Sequence, residues 1–199
     1  MPKVSVILPC YNGARWIGKA IQSVLAQTYE DLELVIVDDG STDNSKDIIT
    51  SYLSDGRVHY IFQENRGFSA ANNTGIKESS GDLIGFTGQD DLWMPNKLKV
   101  QINYLEKHKN IDVVHSNLYH IDSEGRITRK RNPKIPTNSS RDDIIKELFL
   151  RNFICIQTVI IKRRCFEKVG LLDERMISFS DHDLWVRVAG KFNIGYIDL

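Results

Sequence analysis

Two adjacent carboxylates, Asp90 and Asp91, interrupt the apolar run "GDLIGFTGQDDLWMP" between Gly81 and Pro95. Like charges side by side repel, and taking them out of water is costly unless something positive sits between them and the interior. A second acidic pair, Asp38 and Asp39, stands in "DDGSTD", and Arg66 in "ENRGF". Paired carboxylates with an arginine nearby suit a hard divalent cation carrying phosphate. Mg²⁺ and Mn²⁺ take oxygen ligands and commonly bind one or two carboxylates plus substrate phosphates. In such a site Asp39 could accept hydrogen bonds from a base or a ribose.

These groups act together only if the chain delivers them to one place. Short β-rich runs (Val4–Pro9, Leu32–Asp39, Val58–Glu64, Asp82–Gly88 and Asp112–Asp122) alternate with helical patterns. Ile17, Ala20, Ile21 and Val24 share one helical face. So do Leu98, Ile102 and Leu105 after Pro95, a residue that suits a helix's first turn. The alternation predicts an α/β fold, a mostly parallel central sheet flanked by helices, in a single domain. Open α/β sheets bind ligands outside the carboxyl ends of their strands. Here four strands end in polar sequence: "PCYNG", "DDGSTD", "ENRGFSAANN" and "GQDD". A parallel sheet therefore brings Tyr11, Asn12, Asp38, Asp39, Asn65, Arg66, Asp90 and Asp91 to one rim. Alone, "DDGSTDNS" would serve as a turn with Ser41 or Thr42 capping the next helix, and "ENRGF" as a loop held by one ion pair. Leu92 and Trp93 are expected to press the Asp90–Asp91 pair against the core. The convergence of all these groups favours a ligand site.

Beyond Glu124–Gly125 the polar, basic segment "RITRKRNPKIPTNSSRDD" reads as an excursion or mobile loop. A helix in "DDIIKELFL", a strand in "FICIQTVIIKRR", a helix starting in "SDHDLWVRVAGK" and a strand in "NIGYIDL" follow. The last strand runs to Leu199, which reads as a domain cut short at its C-terminal side.

The chain of 199 residues is 41% hydrophobic and carries 26 Lys+Arg against 26 Asp+Glu. That balance excludes a global electrostatic pull toward nucleic acid. Cys10, Cys155 and Cys165 are far apart and lack zinc or redox spacing, as expected of free thiols in a reducing compartment. "MPKVSVILP" is too short for a signal peptide, and no apolar run reaches membrane-spanning length, so a cytoplasmic location is expected. His115 and His120, on a strand, read as structural.

The blocks "VSVILPCYNGARWIGKAIQSVLAQTYEDLELVIVDDGSTDNS", "NRGFSAANNTGI" and "GQDDLWMPNKL" resemble glycosyltransferase family 2. The resemblance resumes more weakly at "VIIKRRCFEKVGLLDE" and "FSDHDLWVRVA". It implies an inverting transferase of the GT-A (Rossmann-like) fold. On that reading residues 1–199 form one catalytic domain, with 1–110 holding the nucleotide sugar and 111–199 supplying the acceptor side and the base. Pro9, Tyr11, Asp38 and Asp39 would line the nucleotide pocket, with Asn65, Arg66 and Gly67 beside it and Gln89 and Asp90 near. Asp91, with Asp90, would hold Mg²⁺ or Mn²⁺. The family often reads Asp-x-Asp-Asp where this chain has Gly88-Gln89-Asp90-Asp91, so Gln89 or water is expected to substitute, or metal affinity to be lower. Asp181 in "FSDHDLWVR" would be the catalytic base, at a helix N-terminus and aimed out of the fold, with Asp183 as the alternative. Ser180 stands where a glutamate is common.

The resemblance further implies a UDP-linked donor and a glycan or lipid-linked acceptor, in the synthesis of polysaccharide or another cell-surface glycan. The basic stretch Arg126–Lys134 reads as a solvated loop, with a lipid diphosphate or the inner membrane face as its second reading. Trp93 and Trp185 are candidates for stacking on acceptor sugars, against a plain core role. A sugar-1-phosphate nucleotidyltransferase would need a Gly-rich, basic loop after the first strand, and "PCYNGARW" has a single glycine. A non-catalytic nucleotide-sugar-binding domain is the remaining alternative.

Overall fold

The computed structural model describes residues 3–132 and 140–198. Seven strands build the central sheet: β1 (Val4–Cys10), β2 (Leu32–Asp39), β3 (Val58–Gln63), β4 (Leu83–Phe86), β5 (Val113–Ser116), β8 (Ile160–Lys162) and β9 (Ile194–Ile197). Their order is β3-β2-β1-β4-β8-β5-β9. Every described pairing is parallel except those of β8 with β4 and β5, so the sheet is mostly parallel, as the alternating pattern requires. The remaining strands, β6 (Leu118–Ile121) and β7 (Ile127–Arg131), form a separate antiparallel hairpin.

Helices cover both faces. On one lie α1 (Ile17–Leu25), α2 (Ser45–Thr50) and α4 (Lys97–Lys107), sealing a core of Leu8, Leu34, Ile36, Ile21, Leu98 and Ile102. On the other lie α3 (Phe68–Glu78), α5 (Arg141–Leu150), α6 (Arg164–Val169) and α7 (Ser180–Ala189), over Ile7, Val35, Val37, Phe86 and Ile161. Strands buried on both faces read as near-continuous apolar runs, which is why β1 and β2 are so plain in the sequence.

Several expectations change. The run Asp112–Asp122 is two strands, because Asn117 breaks it and its amide bonds Asp198 Oδ1 at 2.8 Å. Only Ile160–Lys162 of "FICIQTVIIKRR" is strand; Ile156–Thr158 forms a single 3₁₀ turn, with Thr158 Oγ1 donating to the Cys155 carbonyl. Pro95 precedes α4, which starts at Lys97 after Asn96. Neither Ser41 nor Thr42 caps α2; the Asp43 carboxylate takes the Ser45 N–H there. Trp93 and Trp185 are 6% and 0% exposed and pack in the cores, so neither offers a face to a sugar. Leu92 is 47% exposed, and Trp93 alone anchors the acidic loop inward. Arg126–Arg131 of the basic stretch lies on or just before exposed β7, and Pro133–Lys134 fall outside the described residues. Among the described residues no helix is long and apolar enough to cross a membrane.

The end of the sheet opposite the polar rim is fastened by Glu33. Its carboxylate accepts hydrogen bonds from Ser5 Oγ (2.6 Å), the Ser80 backbone N–H (2.6 Å) and Lys3 Nζ (2.7 Å). Burial alone would push this carboxyl up, but the donors from Lys3, Ser5 and Ser80 outweigh it and bring it from the ordinary 4.5 down to about 2. Such a group contributes stability that is present above its unfolded pKa and lost as pH falls through the folded one. Glu33→Gln is therefore expected to cost roughly 2–3 kcal/mol at neutral pH. It should also flatten the stability loss between pH 4.5 and 2. Denaturant titrations across that pH range test this; an acid limb as steep as wild type would contradict it.

Candidate functional site

The rim begins with β1, whose chain turns at Asn12, a non-glycine residue at φ 50°. Asparagine tolerates this left-handed conformation better than most residues. The turn is fastened to the loop after β2. Asn12 N–H donates to Ser41 Oγ (3.0 Å), Asn12 Oδ1 accepts from Thr42 N–H (2.8 Å), and Gly13 N–H donates to Ser45 Oγ (2.8 Å). Ser41, Thr42 and Ser45 of "GSTDNS" are thus spent joining two strand ends. Asp38 is spent likewise. It is 0% exposed, and its oxygens accept from Ser41 N–H (2.8 Å) and Tyr60 Oη–H (2.9 Å). The expectation that Asp38 lines the pocket is therefore corrected: it braces the rim from beneath.

Asp39, one residue on, does line a cleft of about 620 Å³. It accepts from Gln63 Nε2 (2.6 Å), Arg66 N–H (2.9 Å) and Gly67 N–H (2.8 Å), using three of about four lone-pair positions. These bonds hold the turn into α3, where Gly67 sits at φ 85°. Pro9, Tyr11, Asn65, Gly67, Gln89, Asp90 and Asp91 share the cleft wall with Asp39. Arg66 does not: its guanidinium pairs with Glu174 at 2.7 Å, and only its backbone joins the site.

At the tip of β4, Asp90 is exposed and Asp91 half-buried. Burial raises the Asp91 carboxyl above its ordinary value and neighbouring Asp90 adds to the rise, while hydrogen bonds from Gly88 N–H (3.0 Å) and the Gln157 side chain oppose it. The pair closes over Gly88. A Cβ there would lie 2.7 Å from Asp91 Oδ2 and 3.2 Å from Asp90 Oδ1. Gln89 does not stand in for the missing acid, because its amide clasps the Tyr11 backbone, accepting from N–H at 2.9 Å and donating to the carbonyl at 3.3 Å. Among the described residues no cluster of three His, Cys, Asp or Glu could hold a metal by itself. Two adjacent carboxylates without a third, one of them desolvated, fit Mg²⁺ or Mn²⁺ arriving with phosphate oxygens as its other ligands. Asp90 also borders a second cavity of about 250 Å³ that reaches the β6–β7 turn.

Asp181 lies in the first turn of α7, after Phe179 at φ 63°. Its Oδ1 accepts from the next backbone N–H (2.8 Å) and its Oδ2 from Asn152 Nδ2 (3.0 Å). It is partly buried, turned toward Asn152 rather than freely outward, and it is not part of the cleft wall. Cys155 connects the regions. Burial raises its thiol pKa, Arg131 lowers it, and both Asp181 and Asp91 raise it again, so it lies within electrostatic reach of both carboxylates. Asp183, the alternative base, is occupied by an ion pair with Arg187 at 2.7 Å. Ser180 is buried against Ser69 Oγ at 2.8 Å.

Sequence reasoning missed Asn72, Gln157 and Asn152. Gln157 sits inside a run read as continuous strand, where a lone polar residue was the available signal. Asn72 was visible as a polar residue within a small-residue helix, "SAANN".

Known proteins are similar to this chain in sequence and in fold. An uncharacterized glycosyltransferase of Rickettsia typhi is 37% identical over 187 residues, covering 94% of this chain and 58% of the relative. Among solved structures, S. aureus TarS 1-349 superposes with a TM-score of 0.81 at 22% identity, covering 98% of this chain and 58% of that one. The mannosyltransferase PcManGT from Pyrobaculum calidifontis, solved with GDP-Man and Mn²⁺, gives 0.75 at 20% identity, over 99% of this chain and 55% of that one. The chain thus spans under three fifths of these proteins' own lengths and shares their GT-A fold. Residues 5–170 match the model of Glycosyl transferase family 2, and with the R. typhi relative alongside it, the chain belongs to that family.

Proposed function

We propose that the chain forms the catalytic domain of an inverting glycosyltransferase. It moves a sugar from a nucleotide-diphosphate sugar, with uracil as the base, to an acceptor hydroxyl on a glycan or lipid-linked acceptor of the cell surface. The observation that carries this reading is the desolvated Asp91 carboxylate, beside Asp90, in the cleft that Asp39 also lines. TarS has been solved with UDP-GlcNAc and PcManGT with GDP-Man and Mn²⁺, which supports a nucleotide-sugar donor and a divalent cation. Residues 1–110 would hold the donor and residues 111–199 the acceptor side, with exposed β7 available to an anionic lipid headgroup or diphosphate.

Inversion needs one in-line displacement. Asp181 takes the proton of the acceptor hydroxyl while that oxygen bonds to the anomeric carbon from the face opposite the diphosphate, whose bond breaks in the same step. No covalent intermediate forms, so a second nucleophilic carboxylate is not required. Asn152 holds one Asp181 oxygen, leaving the carboxylate oriented rather than free to swing. A cation held by Asp91 and Asp90 would supply charge stabilisation to the departing diphosphate.

Three substitutions separate these roles. Asp181→Asn should lower transfer by about 10²–10⁴-fold, the usual general-base contribution, and leave nucleotide affinity unchanged. Release of nucleoside diphosphate at the wild-type rate would sink the assignment. Asp91→Asn should remove the Mn²⁺-dependent part of UDP binding measured by calorimetry; an unaltered Mn²⁺ effect would exclude Asp91 as ligand. Gly88→Asp restores the family's acid but forces its Cβ into Asp91. It is expected to weaken metal-supported binding about tenfold, and a gain in affinity would show that the carboxylates rearrange freely.

A further inference from the structure

We propose that Asn72 reads the ligand of the cleft: its side-chain carbonyl accepts a hydrogen bond from an N–H or O–H group on the base or sugar of the donor, an inference that rests on the donor reading given above. Asn72 lies on α3, lines the cleft and is 1% exposed. Its amide nitrogen donates to the Phe68 carbonyl, one turn back, at 2.9 Å. That bond fixes which way the amide faces, because a carbonyl can accept only from the NH₂ end. Oδ1 is therefore the free end, and it is buried without any hydrogen-bond partner among the described residues.

A buried acceptor left without a donor is unfavourable, and native proteins rarely keep one without a reason. The cleft wall cannot supply the donor through a cationic side chain: no lysine, arginine or histidine lines it among the described residues, and Gln89 is committed to Tyr11. Tyr11, Asn65, Thr87 and Gln157 also line the wall, and none of them bonds Oδ1, so the donor is assigned to a ligand group. An ionised phosphate has no proton to give, so the contact is not to the diphosphate. Bases such as uracil and guanine carry a ring N–H, and ribose and hexoses carry hydroxyls. Either answers the geometry, and a neutral carboxamide meets them without repelling the diphosphate nearby.

Asn72→Leu removes the acceptor while keeping nearly the same volume, and Asn72→Ala serves as the second variant should the first fail to fold. Binding of UDP, GDP, UDP-N-acetylglucosamine and GDP-mannose, each with Mn²⁺, would be measured by calorimetry, with the unfolding temperature of the ligand-free proteins alongside. The expected result is that Asn72→Leu unfolds at or above the wild-type temperature, since an orphaned polar atom is gone. It should nevertheless bind the probes that wild type binds about tenfold more weakly. Weakening toward UDP or GDP alone assigns the contact to base or ribose; weakening only toward the sugar-bearing probes assigns it to a hexose hydroxyl. Wild-type affinity for every probe in both variants overturns the role of Asn72. A wild-type protein that binds none of the four removes the donor reading itself, and this inference with it.

Discussion

Two carboxylates side by side, one of them drawn out of water, set the electrostatic problem around which this molecule is arranged. The tip of β4 delivers Asp90 and Asp91 together, and the groups that bond Asp91 from within the protein are neutral, the Gly88 N–H and the Gln157 amide. Neutral donors ease the desolvation of a charge but do not cancel it. On the proposed function, a cation bound from the cleft side would complete the balance. The loop that follows is bolted down, which holds Asp91 half-buried beside exposed Asp90. Trp93 packs in the core with the Lys97 ammonium 4.0 Å from its ring centroid. Gln27 at the end of α1 ties the Met94 carbonyl (2.8 Å) and the Leu98 N–H (3.0 Å). Rigid support of this kind holds a charged pair in one geometry.

The opposite wall of the cleft is organised by the same economy of oxygens. Asp38 and Asp39 are neighbours on β2, so their side chains point to opposite faces of the strand. One is consumed beneath the rim by Ser41 and Tyr60, and the other collects the backbone of the turn into α3 and retains one edge toward the cleft. Asn12, Thr42 and Ser45 stitch the two loops together, which leaves half-buried Pro9 and exposed Tyr11 as the lip at the end of β1.

The region bearing Asp181 is coupled to this wall through α3. Arg66 pairs with Glu174, Asn73 exchanges hydrogen bonds with the Leu172 backbone at 2.8 and 3.0 Å, and Ser69 meets Ser180. On the other side Asn152 links Asp181 to the hairpin, since its carbonyl accepts from Arg131 at 3.3 Å. Arg66, expected to face a phosphate, instead pairs with Glu174. A serine at position 180 serves the packing of α7 on α3, where a longer acid would need room that Ser69 now occupies.

What the sequence by itself determined is whatever depends on neighbours along the chain: the period-2 and 3.6-residue patterns, and the polar residues at strand ends. From those came the mostly parallel sheet, the rim, and its cleft-lining members Tyr11, Asp39, Asn65, Asp90 and Asp91, while the family resemblance added Pro9, Gly67 and Gln89. What the tertiary structure alone decided is how each polar group spends its hydrogen bonds, because that depends on partners tens of residues away. Asp38 differs from Asp39, Arg66 turns to Glu174, Gln89 grips Tyr11, and a 3₁₀ turn replaces a strand so that Gln157 reaches Asp91. The orphaned oxygen of Asn72 belongs to the same class: local sequence puts an amide on the helix, and only packing leaves one end of it waiting for a donor.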